Sequence, residues 1–203
     1  MQAFLDWILR MDPLEFAGLV SGLVCVWLLI RENVWTWPIG IVYVVISIGV
    51  FLEARLYADL ALHVVYLVLN TYGWWYWTRG GRDRAAASVP VSTTAPRLLA
   101  AVVIVAMLAA GASGWAFARW TDADLPYWDN TTTMLSLAAM WLSTRKKLEN
   151  WILWFVVDVL ATGIYFYKGL DFYALLYLVY VGMAVAGYRA WRRSLVEPLP
   201  LAV

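Results

Sequence analysis

The chain has 203 residues, of which 64% are hydrophobic and only 14% charged, and its mean hydropathy is +0.70. So few polar residues cannot form the shell a soluble domain of this length requires, and a water-soluble fold is excluded. The net charge of +1 is uninformative, whereas the placement of the charges is not.

The first segment, residues 1–12, carries Asp6 and has no basic n-region, so a cleaved signal peptide is not expected. Crossing a bilayer core takes about 20 apolar residues in a helix, with every backbone polar group satisfied internally. Three runs meet this over residues 13–77, at Leu14–Ile30, Trp37–Phe51 and Tyr57–Tyr76. The first holds the single cysteine, Cys25, which rules out an intrachain disulfide. Residues 78–96 follow. Their stretch Gly80 to Pro96, rich in small, polar and proline residues, predicts a flexible cytoplasmic linker. An Ala/Val-rich run without ionisable groups, Leu98–Ala118 within residues 97–120, predicts a linking helix that meets lipid or another copy. Gly111 and Gly114 could admit close helix approach there. Residues 127–191 hold Thr131–Ser143, Trp151–Phe166 and Phe172–Tyr188, and residues 192–203 form a tail. The second, fifth and sixth runs are short, so flanking residues must complete them. The runs are apolar on all sides rather than alternating, which rules out a β-barrel. The prediction is an all-α integral membrane protein of seven transmembrane helices.

Of the basic residues, Arg10, Arg55, Arg119 and Lys168 fall on one side of this layout and the other eleven on the opposite side. The basic side faces the cytoplasm, which places the N-terminus outside and the C-terminus inside.

Setting Trp37 on Trp151, a shift of 114 positions, aligns the two halves without a gap as far as Trp77 on Trp191. Gly49 then meets Gly163, Tyr66 meets Tyr180 and Gly73 meets Gly187. Continued backwards, Trp27 meets Trp141 and Arg31 meets Arg145. Each repeat has three helices, so the linking helix is needed to restore the sense of the second copy. A 3+1+3 arrangement of two parallel triple-helix bundles follows, the type of repeat found in carriers that rock one half against the other.

An ionisable residue deep in a span is a functional candidate because of its insertion cost. Asp158 lies midway in helix six, and its repeat-mate is the apolar Val44. Trp151, Trp154 and Asp158 stand at i, i+3 and i+7, offering aromatic faces and a carboxylate to a flat cationic ligand. On helix three, His63, Tyr66, Asn70 and Trp74 share a stripe, and the Asn70 amide suits an amide or sugar hydroxyl. Tyr173, Tyr177 and Tyr180 form a stripe on helix seven, while Tyr43, Ser47 and Trp37 complete the candidates on helix two. Pro38, Gly40, Gly49 and Gly163 mark positions for a bend or a tight crossing. No Walker, dinucleotide or zinc pattern occurs, so neither a metal nor a cofactor is expected, and no nucleic-acid partner. Helix seven lacks the lysine of a retinal protein within Phe172–Tyr188, and an isolated Asp158 does not make an intramembrane enzyme.

These residues resemble the PnuC family, bacterial nicotinamide riboside transporters distantly related to the SWEET sugar transporters. The resemblance runs over about residues 13–193. It is carried by Trp37-Pro38-Ile39-Gly40, Leu56-Tyr57-Ala58-Asp59, Tyr72-Gly73-Trp74-Trp75-Tyr76-Trp77 and Glu149-Asn150-Trp151-Ile152-Leu153-Trp154 with Asp158 beyond, and by Ile164 to Leu170 and Gly187 to Trp191. It implies a homotrimer in the bacterial inner membrane, one small-molecule ligand between the bundles, and vitamin B3 uptake by facilitated diffusion with trapping by a cytoplasmic kinase. Asn70 stands where glutamine is more usual and Asp158 where asparagine is also common. Nicotinamide riboside and thiamine are both cationic aromatics, and the residues suit either.

Overall fold

A computed structural model describes residues 13–53, 57–80 and 89–196, in which seven α-helices occur. They are α1 (Pro13–Ile30), α2 (Thr36–Glu53), α3 (Tyr57–Arg79), α4 (Pro96–Trp120), α5 (Pro126–Thr144), α6 (Asn150–Tyr167) and α7 (Asp171–Val196). The predicted spans coincide with these helices, and the short second, fifth and sixth are completed by their flanks. Three helices begin on a proline, at Pro13, Pro96 and Pro126, where the missing N–H is not needed and the ring fixes the first helical φ. Among the described residues, α4, α6 and α7 are long and apolar enough to cross a membrane unaided, and shorter apolar helical stretches run over Phe16–Ile30 and Thr36–Gly49.

The polar start of α5, Pro-Tyr-Trp-Asp-Asn-Thr-Thr-Thr, is helical because its side chains are satisfied within the helix. Thr131 Oγ1 donates to Tyr127 O, Thr133 Oγ1 to Asp129 O, Ser136 Oγ to Thr132 O and Asn130 Nδ2 to Pro126 O, all at 2.7–2.8 Å. This is the bonding that lets hydroxyls and amides enter an apolar medium.

The chain forms two compact units, residues 1–74 and 75–203. In the first, α1 packs on α2, and Thr36 Oγ1 donates to Cys25 O at 2.9 Å. Trp37 lies flat against Gly73, where an added methyl would come within 2.6 Å of the indole, and the Asn70 amide abuts Gly40 so closely that a methyl there would collide with it.

In the second unit, α4 packs on α5, α5 on α6 and α6 on α7. The linking helix turns its small residues Ala106, Ala110 and Gly114 inward, and a methyl at Gly114 would sit 2.8 Å from the Tyr127 ring. The expected close approach therefore occurs at Gly114, on α5 of the same chain, whereas Gly111 faces open space. The last turn of α3 belongs to this unit too. Trp77 is buried against Trp191, with centroids 6.1 Å apart, and donates its Nε1 proton to Thr144 O at 3.2 Å.

Of the predicted flexible linker, residues 81–88 lie outside the described residues, and its last part is ordered. Residues 89–95 are folded onto the α5–α6 turn. Ser92 N donates to Lys146 O and Leu148 N to Ser92 O, making a parallel bridge. Thr94 donates through both N and Oγ1 to Glu149 Oε2, and Lys147 Nζ donates to Ser92 Oγ. Val89 and Val91, alternating as on a strand, are buried. The alternation of two β-branched residues outweighs the flexible composition around them.

Backbone geometry records the repeat. Both α1 and α5 end in the motif that closes on a left-handed residue, with Asn33 N donating to Leu28 O at 2.9 Å and Lys147 N to Leu142 O at 3.0 Å. The left-handed residues are Glu32 (φ 54°) and Lys146 (φ 51°), again 114 positions apart, where glycine is the usual occupant. Lys146 is held by its side chain, which lies over Trp77 with Nζ 4.5 Å from the ring centroid. Gly169 (φ 69°) serves the same purpose at the end of α6. At that end of the unit Lys168 pairs with Asp129 at 3.0 Å.

Candidate functional site

Residues that match across the repeat and residues that differ play different parts. The matching pair Trp37 and Trp151 is scaffold-like in its surroundings. Each indole is 2% exposed, and each lies against a repeat-related glycine, Trp37 on Gly73 and Trp151 on Gly187. Trp151 also meets Trp191 edge-on, with centroids 5.5 Å apart.

Trp154 turns elsewhere. Its half-buried ring packs against two core clusters, one of Ala106, Leu135 and Val157 and one of Ala139, Leu142 and Leu153. Its Nε1 donates to Ser143 Oγ at 3.2 Å. Successive residues three apart on a helix diverge by about 60°, and here that angle separates an indole facing α7 from one facing α5. The two indoles of the stripe thus have different neighbours, Gly187 and Trp191 for Trp151 and the α5 side for Trp154.

Asp158 follows Trp154 by one turn and is 6% exposed. No hydrogen bond or ion pair reaches its carboxylate among the described residues; the neighbouring Thr162 hydroxyl donates instead to the Asp158 backbone carbonyl, at 2.7 Å. A carboxylate buried inside a membrane protein without a partner is unfavourable unless something else supplies the compensating charge. One turn of helix further from Thr162 stands Tyr165, which the sequence reading missed. Its ring is stacked between Tyr173, at 5.5 Å, and Tyr177, at 5.2 Å, and Tyr177 meets Tyr180 edge-on at 5.8 Å. The signal was available in the i+7 spacing of Tyr165 from Asp158.

The first unit holds a second cluster. His63 lies 6.5 Å from the Tyr43 ring and 5.8 Å from Tyr66, the latter edge-on. Asn70 is 6% exposed. Its Nδ2 donates to Tyr66 O at 2.8 Å, and its Oδ1 accepts nothing among the described residues. Ser47 Oγ is turned back to Tyr43 O at 3.0 Å. Of the candidates here, the Tyr43, His63 and Tyr66 rings form a connected group, Asn70 and Ser47 join it only through the Tyr66 and Tyr43 backbones, and Trp37 is packed on Gly73. Gly49 and Gly163 face open space within unbroken helices.

Asn70 in the first unit and Asp158 in the second are buried polar side chains with unused bonding capacity among the described residues. Neither is matched across the repeat, where Ala184 and Val44 stand. Polar groups that the fold does not need and the repeat does not copy are suited to holding a polar solute.

Comparison with known proteins agrees. The nicotinamide riboside transporter PnuC of Escherichia coli K12 is 29% identical, over 94% of this chain and 87% of that protein. The riboflavin/roseoflavin transporter RibM of Streptomyces davaonensis is 26% identical, over 87% of this chain and 83% of that protein. A crystal structure of the vitamin B3 transporter PnuC superposes with a TM-score of 0.70 at 22% identity, covering 93% of this chain and 85% of that one. The description "Nicotinamide mononucleotide transporter" fits residues 12–193, and the chain belongs to that family, the PnuC family of multi-pass membrane transporters rather than enzymes.

Proposed function

We propose that this chain carries nicotinamide riboside across the bacterial inner membrane by facilitated diffusion with alternating access. The Asp158 carboxylate, buried and unpaired among the described residues, is the observation that supports this reading most. A permanently cationic ring supplies the missing charge, whereas a neutral flavin such as the one RibM carries leaves it uncompensated. In this reading Asp158 is the counter-ion and Trp154 the stacking face. Asn70, whose Nδ2 keeps one unused N–H, is a further polar contact in this reading. Tyr177, Tyr180, Tyr66, Tyr43, His63 and Ser47 line the ligand's path, with Trp37 and Trp151 fixing the helices. Thiamine, also a cationic aromatic, fits Asp158 equally and is the alternative ligand.

The same reading includes a homotrimer, an external N-terminus and a cytoplasmic C-terminus. The orientation rests on the uneven basic residues. In a Cys25→Ser background, a cysteine at Asp124 should react with an impermeant maleimide from outside the cell, and one at Arg192 should not; the reverse pattern would contradict the orientation.

Counterflow in proteoliposomes tests the function. Preloaded nicotinamide riboside should drive entry of labelled nicotinamide riboside with no ion gradient, inhibited more by thiamine than by riboflavin. Accumulation that requires a proton or sodium gradient would contradict passive carriage.

A further inference from the structure

The Trp154 indole sits at the end of a chain of hydrogen bonds, and the two side chains that make it are fully buried. Trp154 Nε1 donates to Ser143 Oγ at 3.2 Å. The Ser143 hydroxyl proton is within reach of Asn150 Oδ1 at 3.1 Å and Ala139 O at 2.9 Å. Asn150 Nδ2 donates to Lys147 O at 2.6 Å, and the Lys147 side chain is itself tied to Ser92 of the folded linker at 2.9 Å. Ser143 and Asn150 are both 0% exposed. The ring is thus anchored through its only donor to a group that is anchored in turn.

The repeat argues that this chain of bonds is not required by the fold. The positions of Ser143, Asn150 and Trp154 correspond to Leu29, Thr36 and Gly40 in the first half. That half builds the same helix end and the same buried tryptophan seat with a bond from Thr36 Oγ1 to Cys25 O, which reaches no aromatic ring. The serine, the asparagine and the exposed-edged tryptophan occur together in one copy only. An indole has a single N–H, and pinning it selects one of the ring orientations its side-chain torsions allow. A stacking face held in place before the ligand arrives loses less freedom on binding.

We propose that Ser143, supported by Asn150, is a positioning residue that sets the plane of the Trp154 ring for a flat ligand beside Asp158. This rests on the reading of Trp154 as a ligand contact. Ser143 itself touches no ligand; its effect passes entirely through Nε1 of Trp154.

The test compares Ser143→Thr with Ser143→Val, which add the same branch and differ in the hydroxyl, by calorimetry of the detergent-purified full chain with nicotinamide riboside. Thr should bind within about twofold of the parent and Val about fivefold more weakly, the scale of one hydrogen bond. In a Trp154→Phe background, which has no N–H to pin, the two should bind alike. Where the extra branch prevents folding, Ser143→Ala adds no atom and gives the same comparison in both backgrounds. Equal binding by Thr and Val in the parent, or a difference that persists in the Trp154→Phe background, would overturn the positioning role. Trp154→Ala binding with parental affinity would overturn the ligand contact and the positioning together, whereas its loss alongside equal Thr and Val affinities removes only the positioning.

Discussion

Asp158→Val should yield a protein that melts at or above the parental temperature in detergent and has lost nicotinamide riboside binding by about 100-fold or more. The two expectations have one cause. A carboxylate at the centre of a membrane helix carries an insertion cost of about 2.5–3.5 kcal/mol, and no group among the described residues offsets it. Valine removes that cost and is already the residue at the equivalent position, where Val44 is buried in the first unit. The ligand's charge, however, loses its counter-ion, and removing one partner of a desolvated charge pair typically costs about 2–5 kcal/mol. Asp158→Asn keeps the shape and some bonding capacity, so its loss should be smaller. A variant that melts lower while binding normally would make Asp158 a structural residue.

Gly187→Ala and Gly73→Ala should both destabilise the fold, and Gly163→Ala and Gly49→Ala should not. At the first pair a methyl would come within 2.5 Å of the Trp151 ring and 2.6 Å of the Trp37 ring. Each indole is buried and cannot retreat, so overpacking of about 1–3 kcal/mol is expected. At the second pair nothing lies within 4 Å, and replacing glycine in a helix interior by alanine should gain up to about 1 kcal/mol. The four glycines are two repeat pairs, so the effects should come in matched twos. Thermal melts of the four variants check this, and a result in which Gly73 and Gly49 behave alike would contradict the seat-and-indole account.

These two predictions divide the molecule along the repeat. Residues copied between the halves, Trp37 and Trp151 with their glycines and the left-handed Glu32 and Lys146, build the helix ends and crossings. Residues not copied include Asp158, Asn70, Trp154 and Ser143, polar or aromatic side chains whose repeat-mates are Val44, Ala184, Gly40 and Leu29. Duplication supplies the helix ends and tryptophan seats twice, and the two copies then differ at a few polar and aromatic positions.

Much of this was legible in one dimension because the bilayer constrains so strongly. Seven apolar runs became seven helices, and the 114-residue shift reappeared in the φ angles of Glu32 and Lys146. Asp158 and Asn70 stood out because buried polar residues are rare in such runs. Helical spacing showed that Trp151 and Trp154 lie on the same broad face, but the neighbours decided their fates: Gly187 left room for one ring and Ser143 offered an acceptor to the other. Neither partner is close in sequence to its tryptophan's turn, so periodicity carried no information about them. The order of residues 89–95, at the end of the linker, was not legible for a related reason. Its pairing with Lys146 and Leu148 spans 54 or more positions, and only the alternation of Val89 and Val91 hinted at an extended, buried segment. Tyr165 entered only within the Ile164 to Leu170 stretch of the resemblance, because its ring partners Tyr173 and Tyr177 lie on the next helix.

The most direct test of the account compares nicotinamide riboside with its reduced 1,4-dihydro form, which has nearly the same outline and no charge. Binding of both to the parent protein and to Asp158→Asn, by calorimetry, isolates the carboxylate's part from the loss of aromaticity. The parent should prefer the cation by about 100-fold, and the preference should shrink by about tenfold or more in Asp158→Asn. The same preference in both proteins would mean that the buried carboxylate does not read the ligand's charge, and the proposed recognition would be wrong.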